Sequence, residues 1–121
     1  MERLTEKRRA PRYEIMEFGM LWRKGQKGDS ERVCPAIITN VSLGGVQMKT
    51  RMPIEPSQEL TLELAGESGP VFLPGDVRYA KNGSADGIHT LGFRFKPETS
   101  KDREELAKFV LSLRERISVS G

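Results

Sequence analysis

Apolar and polar residues alternate along most of this chain, and the period of that alternation changes once. Over residues 13–23, Met16, Phe18, Met20 and Trp22 share one parity, with Glu17, Gly19 and Arg23 on the other. A period of two predicts a half-buried strand. Residues 24–30 are polar with two glycines, which predicts a loop. Residues 33–41 predict a second strand, and Pro35 within it predicts a sheet edge or a bulge, where no ladder N–H is needed. Gly44-Gly45 turns or kinks the chain into a third strand, where Val46 and Met48 alternate with Gln47 and Lys49. After the connection at residues 52–56, Leu60, Leu62 and Leu64 oppose Glu59, Thr61 and Glu63 in the clearest alternation of all. A turn at residues 66–70 leads to a fifth strand over 71–80, expected to be interrupted or bulged near Pro74-Gly75. Asn82-Gly83 signals a turn, and a sixth strand over residues 89–96 has Leu91, Phe93 and Phe95 on one face.

Beyond Pro97 the period lengthens. Leu106, Phe109, Val110, Leu113 and Ile117 form a single apolar stripe at helical spacing. Thr99, Ser100 or Asp102 is a candidate cap, acidic residues cluster near the start, and Arg114 and Arg116 lie near the end, as the helix dipole favours. Six short strands and one helix predict a mostly β protein, a small antiparallel barrel with a C-terminal helix lying across it or meeting a partner. The chain divides into a basic N-terminal arm (residues 1–12), a barrel (13–97) and a helical segment (98–121).

Composition narrows the class. The chain has 121 residues, enough for one core but not two. No apolar run is long enough to span a bilayer, no apolar stretch follows the N-terminal charges as in a secretory signal, and the one cysteine allows no internal disulfide. A cytoplasmic protein is expected. Net charge is a mild +3, but residues 1–12 hold Arg3, Lys7, Arg8, Arg9 and Arg12 against Glu2 and Glu6. Such an arm favours an anionic partner and, with little apolar content, is expected to be mobile without one.

Two motifs about thirty residues apart carry the candidate chemistry. Arg8-Arg9-Ala10-Pro11-Arg12 presents guanidinium forks on a segment that proline keeps extended. Such forks suit a phosphate, the N7/O6 edge of guanine or the face of a base. Asn40-Val41-Ser42-Leu43-Gly44-Gly45 presents an amide and a hydroxyl at alternate positions, hence on one side of an extended segment. Gly45 is expected to supply a backbone angle that residues with a Cβ resist, and the glycine pair to let backbone approach a ligand. Taken alone, the first run is a solvated tail and the second a turn. His89 shares parity with the core residues of its strand and reads as a barrel histidine, Cys34 as a packing residue, and Trp22 as core or rim packing. One histidine and one cysteine cannot make a zinc site of standard ligand count, and no nucleophile–base constellation is visible, so no metal and no catalysis are expected.

In this order the two motifs resemble those of the PilZ domain, the bacterial receptor module for cyclic di-GMP. Arg8 and Arg12 match its R-x-x-x-R, with Arg9 as a frequent extra arginine, and Asn40, Ser42 and Gly45 match its [D/N]-x-S-x-x-G. Leu91-Gly92-Phe93-Arg94-Phe95 is similar to the glycine-containing segment on the family's last barrel strand. Asn40 stands where many members carry Asp. The resemblance implies a six-stranded PilZ-like barrel with no cofactor that binds cyclic di-GMP through Arg8, Arg9, Arg12, Asn40, Ser42 and Gly45, with Lys7 and Gly44 as additional candidates. In the family a basic residue at the position of Lys7 tends to accompany an intercalated dimer of the nucleotide, whereas a bulky apolar one favours a single molecule. With no output domain in the sequence, the signal would leave through an unidentified effector protein, affecting motility, biofilm or exopolysaccharide output. The alternatives are a PilZ-fold scaffold that has lost the nucleotide and a small nucleic-acid-binding barrel. Grooves that hold single strands interleave basic and aromatic residues, and the arm has only Tyr13 at its end.

Overall fold

Every alternating segment forms a strand, and the segment with helical spacing forms a helix. The computed structural model describes residues 13–24, 29–42, 44–66, 69–81 and 86–120, with the backbone alone at Tyr13 and at 113–120. In chain order the elements are β1 (Tyr13–Lys24), β2 (Ser30–Val41), β3 (Gly45–Thr50), β4 (Glu59–Gly66), β5 (Gly69–Lys81), β6 (His89–Phe95) and α1 (Ser100–Ser120). The strands pair antiparallel in the order β1-β2-β3-β6-β5-β4, and β4 returns to β1 to close the barrel. Closure removes the free sheet edges that six separate strands would otherwise expose.

Alternation then sorts the side chains. Leu60, Leu62 and Leu64 of β4, Leu91, Phe93 and Phe95 of β6, Val46 and Met48 of β3, and Ile38 and Val41 of β2 point inward into one core. Each fully buried aliphatic side chain contributes about 1.5–3 kcal/mol, which makes this interior the main stabilising term. On α1, Leu106, Phe109 and Val110 are buried, and the helix lies against β5. Its start is a reciprocal cap: the Asp102 N–H donates to Thr99 Oγ1 at 3.0 Å, and the Thr99 N–H donates to Asp102 Oδ2 at 3.1 Å. Thr99 is therefore the capping residue among the three candidates.

Three expectations change. The apolar parity of β1 faces outward: Met16 and Phe18 are 73% and 71% exposed, while Leu21 is fully buried and Ile15 packs on the core. Register decides this, because Leu21 pairs with Cys34 on β2 and Leu62 on β4, both interior, which turns the opposite parity to solvent. The reading of Pro35 holds, because it stands at a local sheet edge where no ladder N–H is needed. It pairs with Met20, beyond the point where the β2–β3 ladder ends at Ile37 and Lys49, so one of its sides has no ladder to complete. β5 runs unbroken through Pro74-Gly75, and its irregularity lies between Val77 and Tyr79 instead. Finally, α1 continues to Ser120, so Arg114 and Arg116 stop short of its last turn, which holds no basic residue. Asn82-Gly83 lies outside the described residues.

Candidate ligand site

One row of residues crosses four strands. Asn40 on β2 pairs with Gln47 on β3, Gln47 with Gly92 on β6, and Gly92 with Tyr79 on β5. The adjacent row, Val41, Val46, Phe93 and Val77, is buried, so the side chains of Asn40, Gln47 and Tyr79 face out. Gly92 has no side chain, and the Tyr79 ring fills the space above it, where an added Cβ would overlap the ring. Across that glycine a polar chain forms. Asn40 Nδ2–H donates to Gln47 Oε1 at 2.9 Å, and Gln47 Nε2–H donates to the Tyr79 hydroxyl at 3.3 Å. The Thr39 hydroxyl is 3.3 Å from both Gln47 Oε1 and the Gln47 carbonyl. Gln47 thereby turns the nitrogen of the Asn40 amide toward itself, leaving the carbonyl oxygen as the group offered to a ligand.

The segment after Asn40 is a tight turn held at both ends. The Ser42 N–H donates to the Gly45 carbonyl at 2.9 Å, and the Gly44 N–H donates to Ser42 Oγ at 3.2 Å. Since Ser42 Oγ accepts that bond, its own O–H remains to donate outward. The Phe95 N–H donates to the Gly44 carbonyl at 3.0 Å, which pins the turn to the end of β6. Here the expectation for Gly45 is corrected. Among the described glycines only Gly69 and Gly87 have positive φ. Gly45 is required by crowding: an added Cβ would overlap the Phe93 carbonyl oxygen and lie 3.1 Å from Arg94 Cα. Its close approach is to β6. At Gly44 a Cβ would meet only Ser42 Oγ, at 3.9 Å.

Asn40, Ser42, Gly44 and Gly45 line one open cleft of about 400 Å³, together with Gln47, Tyr79 and the two arginines Arg78 and Arg94. Arg94 Nη2 donates to Asp76 Oδ2 at 3.2 Å, and Lys96 Nζ lies 3.6 Å from the same oxygen. Burial pushes the Asp76 carboxyl up, but the bonds and charges of Arg94 and Lys96 outweigh it and hold the group below its ordinary value. Asp76 thus orients Arg94 and offsets part of its charge, while the exposed Arg78 keeps the rim cationic. Arg8, Arg9, Arg12 and Lys7 lie outside the described residues, so four of the eight sequence candidates meet in the cleft. Thr39, Gln47, Arg78 and Tyr79 were not anticipated. The available signal was Gly92, a glycine inside an apolar strand, which marks a close approach.

Trp22 sits away from the cleft, with Nε1–H donating to Glu63 at 2.8 Å and the Arg32 guanidinium 5.5 Å from its ring centroid. Cys34 is buried, and burial raises its thiol. Among the described residues no group of His, Cys, Asp or Glu is arranged to hold a metal ion, and no helix is long and apolar enough to cross a membrane.

Comparison with known proteins agrees with this architecture. The family model of the PilZ domain matches residues 6–112. No curated protein gives a match. Among solved structures, the K. pneumonia MrkH–c-di-GMP complex superposes with a TM-score of 0.69 at 20% identity, over 94% of this chain and 55% of that one. The chain thus spans about half the length of that protein. The PilZ domain with c-di-GMP of YcgR from Escherichia coli superposes with a TM-score of 0.67 at 14% identity, over 94% of this chain and 96% of that one. The Bacillus subtilis inhibitor of motility MotI/DgrA gives 0.63 at 14% identity, over 92% and 52%. At such identities the likeness is one of fold.

Proposed function

Because the chain belongs to the PilZ domain family, we propose that it is a receptor for cyclic di-GMP, bound between the arginine arm and the Asn40–Gly45 cleft. The carrying observation is a pairing register. Tyr13 lies opposite Val41 and Glu14 opposite Asn40, so the chain preceding β1 departs from beside the cleft. Arg8 is five residues before Tyr13, within about 18 Å of extended chain. The forks of Arg8, Arg9 and Arg12 can then reach a ligand seated on Asn40 and Ser42. Cyclic di-GMP carries two phosphates and two guanines, the groups that such forks chelate or stack on. The Asn40 carbonyl oxygen complements guanine N–H donors, and the Ser42 hydroxyl can donate to a phosphate. That the similar MrkH and YcgR structures hold c-di-GMP supports the same reading.

Ligand binding would draw three mutually repelling arginines against the cleft, and the newly ordered arm would form a surface for an effector protein, in control of motility, biofilm or exopolysaccharide output. Calorimetric titration with cyclic di-GMP, cyclic di-AMP and GMP tests the receptor reading. Saturable heat with cyclic di-GMP and none with the other two is expected. Silence with all three at high micromolar ligand would leave a scaffold that no longer binds nucleotide.

A further inference from the structure

The outer face of β1 is apolar where solvent should favour polar groups. Along it stand Glu14, Met16, Phe18, Met20, Trp22 and Lys24, with Met16 and Phe18 more than two-thirds exposed. Register extends the patch sideways. Ile37 on β2 lies beside Phe18, and Met20 shares a row with Pro35 on β2, Glu63 on β4 and the half-exposed Phe72 on β5. The carboxylate in that row, Glu63, is turned aside by its bond to Trp22. Strands lie about 4.8 Å apart and rise about 3.3 Å per residue, so four strands and six residue steps make a face of about 400 Å². The largest apolar patch on a single chain is commonly of this order and often functional.

We propose that this face pairs with the same face of a second copy, the two β1 strands antiparallel across a two-fold axis. Read outward, β1 is acidic at Glu14, apolar through Met16, Phe18, Met20 and Trp22, and basic at Lys24. An antiparallel two-fold centred between Phe18 and Met20 sets Glu14 against Lys24 of the second copy, Met16 against its Trp22, and Phe18 against its Met20. A parallel arrangement would bring like charges together, so charge selects the antiparallel one. Neither Glu14 nor Lys24 forms an ion pair among the described residues. Arg32, stacked on Trp22, adds positive charge to the basic end. Two such faces bury about 800 Å² in projection, at the low end for specific complexes, so the dimer is a weak one that forms at micromolar or higher concentration. In the closed order of strands the centre of the face, on β1, lies across the barrel from β6, while its Glu14 end adjoins Asn40 at the cleft.

Sedimentation equilibrium of the full chain without nucleotide tests this, over a range from about 1 μM to 1 mM that spans weak association. A monomer–dimer equilibrium is expected. Phe18→Glu should weaken it about thirtyfold or more, as loss of a central aromatic anchor does. Glu14→Lys and Lys24→Glu should each weaken it about tenfold, since every single change breaks two symmetric pairs and adds repulsion. The double variant, Glu14→Lys with Lys24→Glu, should recover the parent affinity. All three positions are on the exterior, and unchanged circular dichroism would confirm intact folding. A monomer at every concentration would overturn the proposal and leave the face to a different protein or to residues 1–12. A double variant no better than the singles would overturn the two-fold arrangement.

Discussion

Gly45→Ala isolates a close approach that the sequence alone assigns to backbone angle. The added Cβ overlaps the Phe93 carbonyl oxygen, and the atoms behind that oxygen are β6 backbone, which cannot rotate away. Restoring ordinary contact requires β3 to move off β6 by about 1 Å. The neighbouring bond from the Phe95 N–H to the Gly44 carbonyl, 3.0 Å long, would stretch to about 4 Å and cease to be a hydrogen bond. One or two lost bonds at about 1 kcal/mol each, with about 1–3 kcal/mol for overpacking, give a destabilisation of about 2–5 kcal/mol. For a domain of this size that lowers Tm by about 10 °C or more. Urea denaturation and calorimetry on Gly45→Ala and Gly44→Ala side by side provide the measurement. Gly44→Ala should stay within about 0.5 kcal/mol of the parent, because its Cβ meets only Ser42 Oγ, at the ordinary contact distance of 3.9 Å. If Gly45→Ala is as stable as Gly44→Ala, the crowding account is wrong, and any loss of ligand binding must come from the ligand side.

Arg8→Ala or Arg12→Ala should each weaken cyclic di-GMP binding about 10- to 150-fold, the range for one lost charge-assisted bond. Arg12→Lys should lose most of that as well, and a lysine variant that binds like the parent would mean a point charge suffices. Asp76 supplies a pH dependence: its folded carboxyl is held below the ordinary value of 3.8, so its stabilising effect is present above that pH and lost as acid protonates it. Asp76→Asn should therefore flatten the acid limb of the stability–pH profile below about pH 4, and an unchanged limb in that variant would show that Arg94 and Lys96 do not stabilise the carboxylate.

The strands and the helix were legible because their signals are local. In residues 59–64 every second side chain is leucine, and in 106–117 the apolar spacing fits only a helix, so neither depends on what packs against it. Asn40 and Ser42 were legible as neighbours for the same reason, since alternation along one strand puts them on one face. Gln47 and Tyr79 were not. They are 32 residues apart and meet only because β6 lies between β3 and β5, with Gly92 leaving room for the ring. Nothing local in either strand signals the other.

Alternation by itself determined that β1 is a strand, and it could not say which side faces the core. Both parities of β1 carry apolar residues, Ile15 and Leu21 on one and Met16, Phe18, Met20 and Trp22 on the other. A period of two is unchanged when a strand is turned over, so the more apolar parity looked like the inside. Tertiary structure decided otherwise through register with Cys34 and Leu62, which a closed barrel imposes on every strand at once. The role of Gly45 divides the same way. Its place in the N-x-S-x-x-G spacing was written in the sequence, but the β6 carbonyl that excludes a Cβ there belongs to a strand nearly fifty residues away, brought alongside only by folding.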